Sequence, residues 1–218
     1  MKTAIPKARG LGIWFQIMSN LDVRKVKESF ARLFVIATQN EVNLEAFTKA
    51  LERSVFANIL EANRYDDYFN SSLESVFFDI TRRRIDKDKS FGIYNDAYWC
   101  GYSYFEIQRR LKKSFSFLFL KLPLSKMMDI YPVFHEMDFS SLLQFFKEED
   151  QKKTILRALC EEKKCSIREL SYATGINAAT LSKYNASDES LFRGSFENIY
   201  KIAKHFDAPL ALFCRTVE

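Results

Sequence analysis

The chain predicts a mainly all-α fold, and three observations carry that expectation. Only 6 Gly and 4 Pro stand among 218 residues, so few positions demand a positive φ or break a helix. Apolar residues recur at spacings of three and four along much of the length, which is the period of one helix face. Residues whose side chains cap helices precede several of these runs.

From Asp22 to Thr38 the apolar set is Val23, Val26, Phe30, Leu33, Phe34 and Ala37. Asn43 is placed to cap a second helix, with Leu44, Phe47, Leu51, Val55, Ile59 and Leu60 as its stripe. Between Ser72 and Arg83, Leu73, Val76, Phe77 and Ile80 favour a helix over an alternating strand. Asp96 to Lys113 offers Tyr98, Tyr102, Phe105 and Leu111 as a face, and Arg109, Arg110, Lys112 and Lys113 as a basic end that suits a helix C-terminus. Ser114 caps a short helix through Lys121; Pro123 opens the next, which Pro132 should end. A last N-terminal helix is expected from Ser140 to Lys147.

The charged stretch Lys147 to Lys153 is polar on every side, which predicts a boundary between a helical domain of residues 1–149 and a second domain of residues 150–218. At 47% hydrophobic and 28% charged, the chain can build one large core or two small ones. The apolar run Leu11 to Met18 follows Lys2, Lys7 and Arg9, but it is too short for a membrane span and no small-residue cleavage site follows. Cys100, Cys160, Cys165 and Cys214 make no C-x-x-C pair, and reduced thiols in a cytoplasmic protein are expected.

Downstream of the boundary, Ile155, Leu156 and Leu159 mark a helix, and Ser166 with Glu169 forms a capping box for the next, whose Leu170 and Ala173 should face inward. Asn177 is placed to cap a third helix. Ser195 starts a further helix with Ile199, Ile202, Ala203 and Phe206 inside.

This stretch, from about Gln151 to Phe213, resembles the Cro/XRE, lambda-repressor-like helix-turn-helix family over about five helices. The resemblance implies a domain that binds double-stranded DNA with its third helix in the major groove, Gly175 falling where the family's tight turn before that helix needs a left-handed residue and Ile176 plugging the core just after it. Ala178, Ala179, Ser182 and Lys183 are then the candidate base-facing residues, with the capping Asn177 also counted as DNA-binding and Leu181 in the core. Thr180, Arg168, Arg193, Asn198 and Lys201 are candidates for phosphate. Two departures stand out: the family often has Gln where Ile167 stands, and Ala178 and Ala179 offer no hydrogen-bonding group. Readout would then use thymine methyls, Ser182, Lys183 or DNA shape. Residues 150–218 hold 11 Lys and Arg against 9 Asp and Glu, a net of +2 within a chain of +5, so bulk charge does not carry the binding.

The region Asp96 to Phe146 resembles an uncharacterised helical region that precedes this helix-turn-helix in bacterial proteins, chiefly of gut Firmicutes. That implies a bacterial or phage regulator. Its Phe115, Phe117, Phe119, Leu122, Met127 and Met128 would fill a core or mediate self-association.

Other clusters carry blander readings. His135 and Glu136 lack the second histidine that a zincin needs, and are read as capping or hydrogen-bonding residues. Cys160 and Cys165 are read as two ordinary thiols rather than zinc ligands. Tyr94, Tyr98, Trp99, Tyr102, Tyr104 and Phe105 are read as core rather than a base-stacking platform. Arg82, Arg83 and Arg84, with Lys87 and Lys89, are read as a solvated turn, with a second nucleic-acid contact as the alternative. No paired carboxylates, activated nucleophile or phosphate loop points to an enzyme, and no cofactor or metal is implied. A dimeric transcriptional repressor is the expected function, the N-terminal helices serving dimerisation, sensing or partner binding. An antitoxin or host-defence-related inhibitor that autoregulates its operon is the alternative.

Overall fold

The computed structural model describes the backbone of residues 11–65, 72–85 and 96–214, and side chains from residue 23 onward within those ranges. The side chains of the run Leu11 to Met18, together with Lys2, Lys7, Arg9, Lys87, Lys89 and Tyr94, lie outside the described residues. The secondary structure among the described residues is helical, with no strand.

The N-terminal part is organised around two long helices, α1 (Leu11–Gln39) and α5 (Asp96–Leu111). α1 begins at Leu11 rather than Asp22, and its predicted stripe is the core: Val26, Phe30, Leu33, Phe34 and Ala37 are fully buried. Ala31, Val35 and Ile36 are buried too, because α1 is packed on several sides, by α5 and by α2 (Leu44–Leu51) and α4 (Leu73–Thr81). Phe30 stacks on Phe115 at 5.0 Å between centroids and Phe34 meets Phe47 edge-on at 5.2 Å, the offset and T-shaped arrangements that ring quadrupoles favour.

The buried face of α5 differs from the expected one. Ala97, Cys100, Gly101, Tyr104, Phe105 and Ile107 turn inward, whereas Tyr98, Tyr102 and Leu111 are half-buried. The reason is Gly101. A Cβ there would stand 2.6 Å from Cδ2 of Phe34 and 2.9 Å from Cα of Ala31, so the small-residue side of α5 is the one that approaches α1. Tyr102 flanks the contact, and Lys27 Nζ donates to its hydroxyl at 2.7 Å and to Glu106 Oε1 at 2.7 Å. Arg109 and Arg110 of the basic end close on the other oxygen of Glu106 at 3.1 and 3.3 Å. This half-buried network explains why burial, which alone would raise the Glu106 carboxyl, is outweighed and its pKa falls below the ordinary range.

Two further expectations shift. The single helix after Asn43 is two, α2 and α3 (Val55–Glu61), because Ser54 accepts from Ala57 N at 3.2 Å and restarts the helix in a new phase. Val55 is thereby left exposed while Phe56 and Ala57 go inside. Asn43 does cap α2, accepting from Ala46 N at 2.9 Å. α4 is a helix as expected, capped by Ser72 and closed by Arg82 in the left-handed region with φ 58°; Arg82, Arg83 and Arg84 are exposed.

Ser114 caps α6 (Phe115–Lys121) and Pro123 precedes α7 (Leu124–Phe134). Pro132 does not end α7: it sits in the last turn on the exposed side, where the missing N–H deprives only the Met128 carbonyl of its helical donor. Phe115, Phe117, Phe119, Leu122 and Met127 are buried, so these large side chains fill the core. α8 (Phe139–Lys152) is capped by Asp138 and continues through the charged stretch beyond the expected end at Lys147. His135 Nδ1 lies 2.7 Å from the carbonyl oxygen of Tyr131, the hydrogen-bonding role read for it.

Five helices follow: α9 (Ile155–Glu162), α10 (Ile167–Thr174), α11 (Ala178–Ala186), α12 (Asp188–Phe192) and α13 (Phe196–Phe206), then a 3₁₀ turn at Leu210–Phe213. They rest on α6, which touches both α9 and the 3₁₀ turn. Lys121 joins the two regions. Its side chain is 1% exposed, and Nζ meets Asp150 Oδ1 at 3.0 Å, Asp188 Oδ2 at 3.5 Å and the carbonyl of Lys153.

Candidate nucleic-acid interface

The site is built from short-range rules first. Thr154 caps α9, whose Ile155 and Leu156 are fully buried. Ser166 N donates to Glu169 Oε2 at 2.7 Å while Glu169 N donates to Ser166 Oγ at 3.2 Å, so the capping box closes in both directions. Those bonds to the ionised carboxylate, the backbone one foremost, hold Glu169 below its ordinary pKa. Leu170 is fully buried. Ala173 is exposed rather than inward-facing, because α10 makes its inner contact through Leu170 and the half-buried Ile167, Ser171 and Thr174.

Gly175 ends α10 with φ 69° and ψ 12°, its N–H donating to the carbonyl of Ser171 at 2.8 Å. An added Cβ there would touch nothing, so backbone conformation and not space is what requires glycine. Ser171 Oγ donates to the Ile176 carbonyl at 2.6 Å, and Ile176 enters the core. The turn between α10 and α11 is therefore fixed from both sides.

Asn177 caps α11 by accepting from Ala179 N at 2.8 Å. Leu181 and Tyr184 face inward, and Ala178, Ala179, Ser182 and Lys183 are exposed. Positions separated by one, four and five lie along one side of a helix, so the four proposed base-facing residues share a single outward face, with Thr180 half-buried beside it. Arg168 is exposed near the start of α10. Arg193 and Lys201 carry carboxylate partners one turn away, Glu189 at 2.8 Å and Glu197 at 2.6 Å. Such exposed pairs are worth roughly 0.2–1 kcal/mol, so either cation is easily drawn to a phosphate. Asn198 Nδ2 donates to Tyr184 OH at 3.3 Å and ties α13 to α11.

Three large exposed side chains of these helices escaped the sequence reading. Tyr172 is 83% exposed and Phe196 73%, and Phe196 stacks on the half-exposed Tyr200 at 6.2 Å. Their signal is phase: Phe196 and Tyr200 are spaced by four and fall off the stripe of Ile199, Ile202 and Ala203 that packs inward. Cys160 lies with its thiol against that of Cys165. Burial first, and then Cys165, push Cys160 up to about 12, so it is an un-ionised thiol near neutral pH.

This order of helices and this turn have a counterpart among known families. Residues 155–211 match the Cro/C1-type HTH DNA-binding domain. They form a Cro/C1-type helix-turn-helix domain. The match spans about a quarter of the chain, from α9 to the 3₁₀ turn. No curated protein and no solved structure matched the chain. In the Cro/C1-type domain α10 and α11 are the helix-turn-helix pair, and the match supports DNA binding by this part of the chain. No helix among the described residues is long and apolar enough to cross a membrane.

Proposed function

We propose that the protein is a sequence-specific transcriptional repressor that acts as a dimer in the cytoplasm, with α11 in the major groove. The observation that carries this reading is the outward face of α11: Ala178, Ala179, Ser182 and Lys183 together, on a helix whose entry is fixed by Gly175 and Asn177. The two alanines let the helix approach base edges closely and offer methyl groups to thymine methyls. Ser182 can donate or accept, and Lys183 can reach guanine acceptors. Thr180, Arg168, Arg193, Asn198 and Lys201 serve as phosphate contacts beside it, Asn198 also being tied to Tyr184 on α11. A single short helix with four short or flexible side chains reads few base pairs. Two copies on paired half-sites supply the missing specificity, and the helices of residues 1–149 are the part of the chain left to pair them.

The test begins with operators selected from random duplex DNA. Replacing Ala178 and Ala179 by larger residues changes or abolishes sequence preference, whereas Lys201→Ala weakens all sequences alike and lowers the salt slope by about one. Sedimentation with the selected operator gives the mass of two chains per duplex. Unchanged preference with bulky residues at both alanines would sink the assignment of α11, and one chain per duplex would remove the dimer.

A further inference from the structure

A cavity of about 580 Å³ lies where the N-terminal helices meet the Cro/C1-type domain, walled by α2, α6, α7 and the end of α8 on one side and by α9, the end of α13 and the 3₁₀ turn on the other. Its volume is that of a small-molecule site. The apolar part of the wall includes Phe119, Leu159, Phe206 and Leu212.

The charged part has a definite pattern. Lys49 meets Glu162 at 2.7 Å and Arg53 meets Asp207 at 2.9 Å. Lys121 has Asp150, Lys126 and Lys152 have Glu149, and Lys153 has Glu161. Every lining cation is thus matched by a carboxylate. Glu52, also in the wall, is half-buried, and its carboxyl makes no hydrogen bond or ion pair among the described residues. Burial, the largest influence, lifts its pKa to about 7, helped by the neighbouring Glu162 and Asp207 carboxylates and opposed by the nearby Arg53 and Lys49.

We propose that this cavity binds a small molecule with an apolar body and a protonated amine, the body against Phe119 and Leu212 and the amine on the Glu52 carboxylate. An amine supplies the missing partner, and a charge-assisted hydrogen bond out of bulk water is among the stronger polar contacts. An anionic ligand has no such place, since the cations around it are already neutralised.

The experiment uses the full chain without DNA, so its outcome is separate from whether α11 reads an operator. Tryptamine is titrated by calorimetry and followed by amide chemical shifts. Indole-3-propionate, of similar size and opposite charge, is the control. Tryptamine is expected to bind with a dissociation constant of about 1 mM or tighter, to shift amides of α2 and of residues 207–212, and to lose about tenfold or more in Glu52→Gln. The propionate should bind at least about tenfold more weakly than tryptamine. Glu52→Gln removes a half-buried carboxyl and should melt no lower than the parent; if it does melt lower, the amide shift map decides by itself. Absence of tryptamine binding, equal binding of the acid, an unchanged affinity in a folded Glu52→Gln, or shifts confined elsewhere would each overturn the proposal.

Discussion

At Gly101 the room for one methyl group decides how two helices meet. A Cβ at 2.6 Å from Phe34 cannot be absorbed without moving α5 or the ring. Gly101→Ala is therefore expected to lose about 1–3 kcal/mol despite the better helix propensity of alanine, read as a lower urea midpoint at unchanged slope. Gly175 is the opposite case, open in space and restricted only by its φ of 69°, and it was readable because the resemblance puts a left-handed residue at that turn. Glu52 gives a prediction in pH. Its folded-state pKa lies at about 7 against 4.5 for the free group, so between those values the folded chain holds a proton that the unfolded chain releases. Stability should fall as pH rises through that window. Glu52→Gln should abolish that slope and stabilise the chain above pH 7 by about 1–2 kcal/mol, the full shift being discounted for the water that still reaches the group. Thermal melts at several pH values check it.

At the scale of the element, most helix starts were legible because a cap acts over three residues. Asn43, Ser72, Ser114, Ser166, Asn177 and Ser195 each cap the helix that follows. Helix ends and inner faces were less so. Pro132 stayed inside α7 because a proline in the final turn removes few bonds, and Ser54 broke a stripe whose apolar residues alone suggested continuity. Tyr98 and Tyr102 fit a helical face as well as Ala97 and Gly101 do; only the approach of α1 selects the small side. The capping box of α10 can be tested directly. Ser166→Ala is expected to destabilise the chain by about 1 kcal/mol and, because α10 anchors the turn before α11, to weaken operator binding more than an Ala substitution at Ser182 weakens non-specific binding. Denaturation and a binding isotherm on each variant measure the two effects.

At the scale of the whole molecule, Lys121 is the side chain that joins the two parts. It projects from α6 and is met by Asp150 at the end of α8 and Asp188 at the start of α12, while Asp188 also accepts from Ile155 N at 2.7 Å. Lys121→Met keeps the length and apolar stem but leaves both carboxylates without their cation. A loss of about 2–3 kcal/mol is expected, below the value for a wholly buried pair because both aspartates retain some water. Faster proteolysis between residues 147 and 155 in the Lys121→Met chain than in the parent would show the loss to be at the junction. Equal stability of the two full-length proteins would show that Lys121 does not hold the parts together.

The sequence by itself determined the helical class, the caps, the Gly175 turn and the Cro/C1-type pattern from Ile155 onward. Each of these rests on contacts within a few residues, where local sterics and hydrogen bonding suffice. Tertiary structure decided which face of α5 is buried, that the large side chains of α6 fill a core, that Tyr172, Phe196 and Tyr200 remain outside, and that Lys121 and Glu52 sit at a junction. Those outcomes depend on residues tens of positions apart, and a charge such as Lys121 reads as solvent-facing until its distant partners, Asp150 and Asp188, are known to stand within 3.5 Å.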